Sequence, residues 1–293
     1  MTTAQSEGGF AFFFFFFGHL SPDFESDEFR NFCTACYRVL RFKPTLTLAG
    51  LQAVLEVVAQ EQPVDYDEFS RLLGLDYAAT TAQAGLLSDG RGNKTGLKLL
   101  KRVPGSNRQQ KQLIPSRTGR AVASLFAAAP AGGLDDPSVE RLRQAVLPAL
   151  RRIRHEAPGL SLSALCILLF ITQNNDGFCY EGNPAKTIAE ALQLTNLPRL
   201  LLQLSDEPSD MSGLGLIVLR KSAKDRRVTI PALSDAGASL MARLAADLRI
   251  KPPSPIRKPK AASLRNAASP AEVRTSFDDD DFDIIWPGDG PAS

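Results

Sequence analysis

The segment Leu46-Thr-Leu-Ala-Gly-Leu51 returns 114 residues later as Leu160-Ser-Leu-Ser-Ala-Leu165. Three further pairs of segments follow in the same order along the chain. Gly74-Leu75-Asp76 matches Gln193-Leu194-Thr195 at an offset of 119, Leu97-Lys-Leu-Leu-Lys-Arg102 matches Leu216-Ile-Val-Leu-Arg-Lys221 at 119, and Ser116-Arg-Thr-Gly119 matches Ser234-Asp-Ala-Gly237 at 118. Because these offsets differ by so little, we expect the chain to use one architecture twice.

Each copy predicts the same order of elements: a helix, two short helices separated by a turn, a two-stranded hairpin and a closing helix. In the second copy, residues 186–192 form the first helix of the motif, Thr195 is the expected N-cap of the next helix, and Pro198 lies in its first turn. Asp76 is the expected cap in the first copy. The order predicts a winged helix-turn-helix in each copy, and therefore a mainly α chain with small β-hairpin wings (α+β).

The second copy resembles the MarR family of bacterial transcriptional regulators. Lys224-Asp225-Arg226-Arg227 is similar to the acidic-x-basic wing motif of that family, and Ser234-Asp-Ala-Gly237 is similar to the turn that starts its last helix. The resemblance implies that Arg227, restrained by Asp225, reaches the minor groove of DNA, while the second helix of the motif enters the major groove. In the first copy the aligned residues are Asn107-Arg108-Gln109, so the aspartate is missing.

MarR proteins are generally homodimers whose terminal helices pair, and this chain carries both copies itself, over roughly 46–126 and 160–245. The resemblance therefore implies a tandem winged helix-turn-helix pseudo-dimer. Its leading helices are expected over 24–42 and 138–154, and its closing helices over 118–127 and 235–249. The expected domains are a disordered Phe-rich leader over 1–21, a first winged helix-turn-helix over 22–130, a second over 131–250, and a disordered tail over 251–293 that is basic and Pro-rich and then acidic.

Positive charge is concentrated in two segments of the chain. The net charge is only +2, from 34 basic and 32 acidic residues, and by itself indicates nothing about partners. Residues 91–120 contain many Lys and Arg and no acidic residue, and a second basic group follows over 220–227. Both segments fall on predicted wings, so we expect them to neutralise the phosphates of double-stranded DNA. A solvated charged surface is the alternative.

Base recognition is expected from the outward face of the second helix of each motif. Together with the cations of the two hairpins, these outward residues give the candidate DNA contacts. They are Tyr77, Thr80, Thr81, Gln83, Lys98, Lys101, Arg102, Arg108, Lys111, Asn196, Arg199, Gln203, Arg220, Lys221, Lys224, Arg226 and Arg227. Because the two sets differ, a non-palindromic site is expected. The helix of the second copy is rich in leucine, so a protein-binding or degenerate module is the alternative there.

The sequence predicts no metal, cofactor or enzyme activity. Cys33-Thr-Ala-Cys36 has metal or redox spacing, but no second pair follows, and the two histidines are His19 and His155. The alternative is that both cysteines are small apolar residues on a helix face. The Walker, nucleophile-elbow, zinc-protease and dinucleotide signatures are missing from the sequence. A small-molecule inducer bound between helices is implied only by the MarR resemblance.

The two ends of the chain have unusual compositions. Phe10–Phe17 is shorter than the roughly 20 residues that cross a bilayer, and no Lys or Arg precedes Arg30, so we expect no membrane anchor and a cytoplasmic, nucleoid-associated protein. The tail ends in Phe277-Asp-Asp-Asp-Asp-Phe282-Asp-Ile-Ile-Trp286. This segment is either a solubilising acidic tail or a docking peptide whose Phe277, Phe282 and Trp286 contact a protein partner.

These features together predict a bacterial or phage transcriptional regulator that binds DNA sequence-specifically through two fused modules. A replication initiator or plasmid-maintenance protein is a second class that fits tandem winged helices. A third is a protein-interaction adaptor whose winged helices no longer contact DNA.

Overall fold

The computed structural model describes residues 24, 26–60, 62–91, 94–105, 111–127, 137–174, 183–205, 213–221 and 228–249. All of the described residues belong to one compact unit. Several predicted features lie outside the described residues. They are the Phe-rich leader, the tail with Phe277, Phe282 and Trp286, and the hairpin-loop residues Arg108, Lys224, Asp225, Arg226 and Arg227.

The described part of the first half alternates helices with short strands. Its elements are α1 (Asp27–Phe42), α2 (Leu48–Ala59), β1 (Val64–Asp65), α3 (Tyr66–Leu73), α4 (Tyr77–Leu87), β2 (Gly90–Arg91), β3 (Lys94–Thr95), β4 (Leu100–Pro104), β5 (Lys111–Pro115) and α5 (Arg117–Ala127). The strands β4 and β5 form an antiparallel hairpin, β1 adds to its β5 edge, and β2 pairs with β3.

The second half repeats the helices and one hairpin. Its elements are α6 (Pro137–Arg141), a π-helical segment (Leu142–Val146), α7 (Leu147–Glu156), α8 (Leu162–Gln173), α9 (Pro184–Leu192), α10 (Leu197–Leu204), β6 (Ile217–Lys221), β7 (Thr229–Leu233) and α11 (Asp235–Leu248). The strands β6 and β7 form an antiparallel pair. The chain is thus mainly helical with small antiparallel sheets, which confirms the α+β class.

Matching caps confirm the repeat at α2 and α8. The hydroxyl of Thr47 accepts a hydrogen bond from the backbone N–H of Gly50 at 3.0 Å, and that of Ser161 accepts one from Ala164 at 3.1 Å. Each bond satisfies one of the unpaired N–H groups at a helix start. The two caps stand 114 residues apart, as the sequence predicts.

The turns after α3 and α9 also match. Gly74 and Gln193 both adopt the left-handed conformation, with φ of 64° and 54°. The N–H of the next residue, Leu75 or Leu194, then bonds back to Ser70 or Ala189 at 3.1 and 2.9 Å. Such a turn closes the helix by satisfying its last carbonyls. The offset of 119 is confirmed, and the second copy uses a non-glycine residue where the first has glycine.

The predicted alignment of the hairpins is wrong by two residues. The N–H of Leu97 bonds to the carbonyl of Leu86 at 2.7 Å, whereas the equivalent bond in the second half joins Leu214 to Gln203 at 2.8 Å. Leu97 therefore corresponds to Leu214 and not to Leu216. A slip of two residues keeps every side chain on the same face of a strand, so the apolar pattern alone could not reveal the error.

The closing helices begin at glycines that must approach a strand closely. Ser116 and Ser234 each accept a hydrogen bond from the glycine three residues later, Gly119 and Gly237, at 3.0 Å. A Cβ on Gly119 would lie 2.1 Å from the carbonyl oxygen of Leu99, just before β4, and one on Gly237 would lie 2.0 Å from that of Leu216, just before β6. The offset of 118 is confirmed, and both glycines are required by packing.

The two halves share one hydrophobic core. The central helices α2 and α8 are buried on nearly every side, as their almost continuous apolar sequences predict. The amphipathic helix α1 packs on α8, and its counterpart α7 packs on α2. The contact is therefore reciprocal, as in a two-fold interface between identical subunits.

Only one of these two reciprocal contacts is ionic. Arg151 on α7 donates to both carboxylate oxygens of Glu56 on α2 at 2.7 and 2.8 Å, and Glu56 is only 1% exposed. At the equivalent positions of the other contact stand Tyr37 and Phe170. Tyr37 instead donates its hydroxyl to the side-chain oxygen of Gln173 at 2.9 Å. The halves are thus complementary without being identical.

Candidate nucleic-acid interface

Each half presents a short helix pair followed by a hairpin, and the pairs differ in how the second helix begins. Asp76 accepts a hydrogen bond from the N–H of Ala79 at 2.7 Å, which confirms it as the cap of α4. The expectation for Thr195 is wrong, because Asn196 precedes α10 and makes no capping bond through its side chain. The helix α10 has eight residues and α4 has 11. The second copy therefore presents a shorter and less well capped helix.

The predicted polar face of α4 is largely turned inward. Thr80 is 0% exposed and donates its hydroxyl to the carbonyl of Asp76 at 2.6 Å, so its assignment as a DNA contact is wrong. The hydroxyl oxygen of Thr81 and the amide nitrogen of Gln83 are buried without a hydrogen-bond partner. The Gln83 nitrogen lies 3.2 Å from where a Cβ on Gly50 would stand, so it faces α2. Neither the Thr81 hydroxyl nor the Gln83 amide nitrogen is therefore exposed for the hydrogen bond to a base that the prediction required.

The outward face of α4 is apolar instead. Tyr77 is 71% exposed and Leu86 is 40% exposed, and Ala78 and Ala82 are exposed between them. Ala78, Ala82 and Leu86 are spaced by four, which places them on one side of the helix. None of these three residues is among the predicted contacts, because a base contact was expected from hydrogen-bonding side chains.

The outward face of α10 combines one cation with apolar groups. Asn196 and Arg199 are exposed, as expected, and Leu202 is 42% exposed. Gln203 is partly buried and donates its side-chain amide to the carbonyl of Gly159 at 3.0 Å. That bond holds Gln203 against the loop before α8, which leaves Asn196 and Arg199 as the exposed polar candidates on this helix.

The strongest feature of the first half is a set of exposed cations on its hairpin and closing helix. Within the ranges that the structure describes, none of them is in an ion pair. They are Lys98, Lys101, Lys111, Arg117 and Arg120. We call this set the basic surface. Arg117 and Arg120 are additions to the predicted contacts, and the acid-free run over 91–120 already contained the signal for them.

Arg102 belongs to the interior of the hairpin rather than to its exposed surface. It is half-buried, and it donates from Nε to the hydroxyl of Ser88 at 2.7 Å and from Nη2 to the carbonyl of Gly90 at 3.0 Å. Its register partner across the hairpin is the buried Leu113. The assignment of Arg102 as a DNA contact is therefore corrected: it ties the hairpin to the residues that follow α4.

The second hairpin carries its charge elsewhere. Arg220 and Lys221 are exposed at the far end of β6, and the ammonium of Lys221 donates to the hydroxyl of Thr229 at 3.1 Å. With the corrected alignment, the positions that match the basic surface hold no cation. Those counterparts are Gly215, Val218, Thr229, Asp235 and Ala238. The two halves therefore present different electrostatic surfaces at equivalent places.

The described cysteines are buried, and the described ranges hold no cluster of metal-ligating side chains. Cys33, Cys36 and Cys166 are free and buried, and burial raises the pKa of each thiol. In that part of the chain, no group of three or more His, Cys, Asp or Glu side chains could hold a metal ion. Among the helices that the structure describes, none has both the length and the apolar character needed to cross a membrane.

An open cavity of about 410 Å³ lies where α3 begins, beside the π-helical segment. Its charged lining groups are Asp65, Glu68 and Arg143. Asp65 already caps α3 through the N–H of Glu68 at 2.7 Å, and Arg143 donates to the carbonyl of Ala59 at 2.8 Å. Small-molecule sites are usually enclosed and mostly apolar, so this cavity gives no chemistry for the inducer that the resemblance implies.

The MarR resemblance remains an expectation from two short motifs, and one of them, Lys224-Asp225-Arg226-Arg227, lies outside the described ranges. No protein-family model, curated protein or solved structure matches this chain.

Proposed function

We propose that the protein is a transcriptional regulator that binds double-stranded DNA through two fused winged helix-turn-helix modules arranged as a pseudo-dimer. The repeated order of a short helix pair, a hairpin and a closing helix supports this proposal, as does the reciprocal packing of α1 on α8 and α7 on α2. The observation that carries it is the basic surface, whose five exposed cations have no anionic partner in the described protein.

Such a surface suits a polyanionic ligand. Surface cations in folded proteins are commonly interspersed with carboxylates, whereas residues 91–120 contain none. DNA phosphates would supply the missing counter-charge, and released counterions would supply much of the binding free energy. In this arrangement the first hairpin and the start of α5 contact the backbone and fix the register of the duplex.

The second module makes fewer contacts of this kind in the proposal. On α10 and the hairpin of that module, the described exposed cations are Arg199 and the pair Arg220 and Lys221 at the end of β6. Because the two modules differ at equivalent positions, a DNA site for this protein need not be palindromic. The first module is proposed to provide most of the phosphate contacts.

The test is the salt dependence of DNA affinity. Each phosphate contact contributes about 0.9 to the slope of log affinity against log salt, so Lys101→Ala, Lys111→Ala and Arg120→Ala together should lower the slope by about 2.7. Matched controls remove exposed cations that already have partners. Lys186→Ala removes the partner of Glu190, and Arg71→Ala removes that of Glu68. Loss of slope in the controls as well would mean that general charge, and not this surface, binds DNA.

A protein-interaction adaptor is the second candidate, and one observation favours it. Tyr77, Leu86 and Leu202, on the outward faces of α4 and α10, are the large exposed apolar side chains of the described protein. Apolar groups of this kind are common at protein interfaces. If the purified chain shows no affinity for duplex DNA even at low salt, the adaptor is favoured and the regulator is rejected.

A further inference from the structure

The outward face of α4 has few groups that could form hydrogen bonds with base edges. The hydroxyl of Thr80 is bonded to the backbone, and the buried polar atoms of Thr81 and Gln83 face the protein. What α4 exposes beyond the ring of Tyr77 is a row of methyl groups, from Ala78, Ala82 and Leu86. Resting on the proposed function, we infer that α4 recognises thymine in the major groove through contacts between these side chains and the thymine C5 methyl group.

The chemistry of the major groove supports this assignment. Each base pair presents a distinct pattern there, and the thymine methyl is the one apolar feature among donors and acceptors. Alanine is among the side chains that contact it. An apolar helix face placed against guanine or cytosine would leave base donors and acceptors without partners, which is unfavourable once water is excluded.

The spacing along the helix also fits. Ala78 and Ala82 are four residues apart, which is about 6 Å along an α-helix. Two base-pair steps cover about 6.8 Å along one strand. The two methyl groups can therefore meet thymines at every second base pair, and the small alanine side chains allow the helix backbone to come close to the groove floor.

The basic surface identifies DNA as the occupant of this face. The segment after α4 is fixed to its last turn by three backbone hydrogen bonds. They run from Leu97 to Leu86 at 2.7 Å, from Lys98 to Ser88 at 3.0 Å and from Leu99 to Leu87 at 2.7 Å. The backbone of Lys98, the first cation of the basic surface, is therefore bonded directly to the end of α4, and the hairpin that carries Lys101 follows it. An apolar helix face followed in the chain by cations complements a methyl-bearing groove bordered by phosphates.

The helix α10 differs in this respect. It exposes Arg199 and follows the exposed Asn196, and both side chains carry groups that bond to base edges. Thymine recognition is therefore assigned to the first module alone.

Deoxyuridine provides the sharpest test, because it differs from thymidine only by the missing methyl group. The full chain is titrated with an A·T duplex and with the same duplex in which deoxyuridine replaces every thymidine. Each lost methyl contact should lower affinity about fourfold, from roughly 0.8 kcal/mol per buried carbon, while the salt slope stays unchanged. A G·C duplex should conversely gain affinity when its cytosines carry a 5-methyl group.

Variants on the helix link the effect to these residues. Ala78→Ser with Ala82→Ser should reduce the preference for thymidine over deoxyuridine, because only the contacts of Leu86 remain, and should keep the salt slope, because no cation is removed. Ala246→Ser is the matched control, since Ala246 is exposed on α11, away from the proposed interface. It should leave both quantities unchanged.

The outcomes separate the two proposals. Equal affinity for the thymidine and deoxyuridine duplexes, with the salt response of the basic surface intact, overturns thymine recognition and leaves DNA binding standing. If no duplex binds at low salt, DNA binding itself fails, and the apolar face of α4 is then a protein-docking surface. A preference for thymidine that is undiminished in the double serine variant also overturns the assignment to α4.

Discussion

Gly119 and Gly237 occupy nearly identical surroundings in the two halves, whereas Lys101 and its counterpart Val218 share only a position on the backbone. The caps of α2 and of the closing helix, and the close approach of Gly119, recur in the second half. The exposed cations do not recur. The two copies therefore share a common frame and differ in the charge of their surfaces.

The same contrast appears between the two reciprocal helix contacts. Glu56 and Arg151 form a buried ion pair on one side, and Tyr37 and Phe170 stand at the equivalent positions on the other. If two first halves paired with each other, Glu56 would meet Tyr37 and lose its guanidinium partner. A buried carboxylate without a partner is strongly unfavourable, so the arrangement favours pairing of the two different halves.

The largest expected effect is for substitution of the two glycines of the closing helices, and it tests whether both halves exclude a side chain at this position. Gly119→Ala and Gly237→Ala each place a methyl group against a backbone carbonyl, and each should lower the free energy of unfolding by about 3 kcal/mol. Urea denaturation followed by circular dichroism measures the change. Gly159→Ala is the control, because its Cβ would lie at an ordinary 3.5 Å from Leu214. Tolerance of alanine in one half only would show that the frames differ.

The next prediction concerns the asymmetric helix contacts. Arg151→Ala leaves the carboxylate of Glu56 buried without its partner and should lower the free energy of unfolding by about 1–3 kcal/mol, reduced because Arg151 is itself 51% exposed. Tyr37→Phe removes only one exposed hydrogen bond and should change it by about 1 kcal/mol or less. Equal losses for the two variants in urea denaturation would remove the distinction between the contacts.

The surface comparison can be tested by transferring charge to the second half. Val218→Lys and Thr229→Lys place cations at the positions equivalent to Lys101 and Lys111. If the two modules approach DNA alike, each new contact should raise affinity by up to about eightfold at 0.1 M salt and steepen the salt slope by about 0.9. Titration at several salt concentrations measures both. An unchanged slope would mean that only the first module lies close to the duplex.

The smallest expected effect compares the starts of α4 and α10. Asp76→Ala removes a capping bond and should lower the free energy of unfolding by about 1 kcal/mol. Asn196→Ala should change it by only a few tenths, because the Asn196 side chain makes no capping bond. Thermal denaturation compares the two variants. A larger loss for Asn196→Ala would contradict the difference between the helix starts.

Features that depend on neighbouring residues could be predicted from the sequence. The caps Thr47 and Ser161, the cap Asp76 and the turns after α3 and α9 follow from short segments whose side chains bond to their own backbone. The order of helices and hairpins follows from the same repeated segments. The one incorrect cap is Thr195. It is followed by another polar residue, Asn196, and α10 starts one residue later than predicted, with Asn196 at the cap position.

The candidate site was predicted less well, because the orientation of α4 depends on distant contacts. Its sequence, YAATTAQAGLL, has alanine and threonine on all sides, so no apolar stripe indicates which face is buried. The close approach at Gly50 of α2 decides this by turning Gln83 inward. The same orientation of α4 exposes Ala82. The neighbouring residues in the sequence do not distinguish it from a buried alanine.

The sequence alone indicates that this chain repeats one architecture, where most of its helices lie, and where positive charge is concentrated. The tertiary structure sets the register of the second hairpin, the inward position of Arg102, the outward face of α4 and the ionic contact of Glu56 with Arg151. Caps, turns and charge runs arise from residues adjacent in the chain, and the pattern of residue types records them directly. The register of paired strands and the buried face of a helix depend on contacts between segments far apart in the chain. Strands offset by two residues have the same apolar pattern, and a helix without an apolar stripe fits in several orientations.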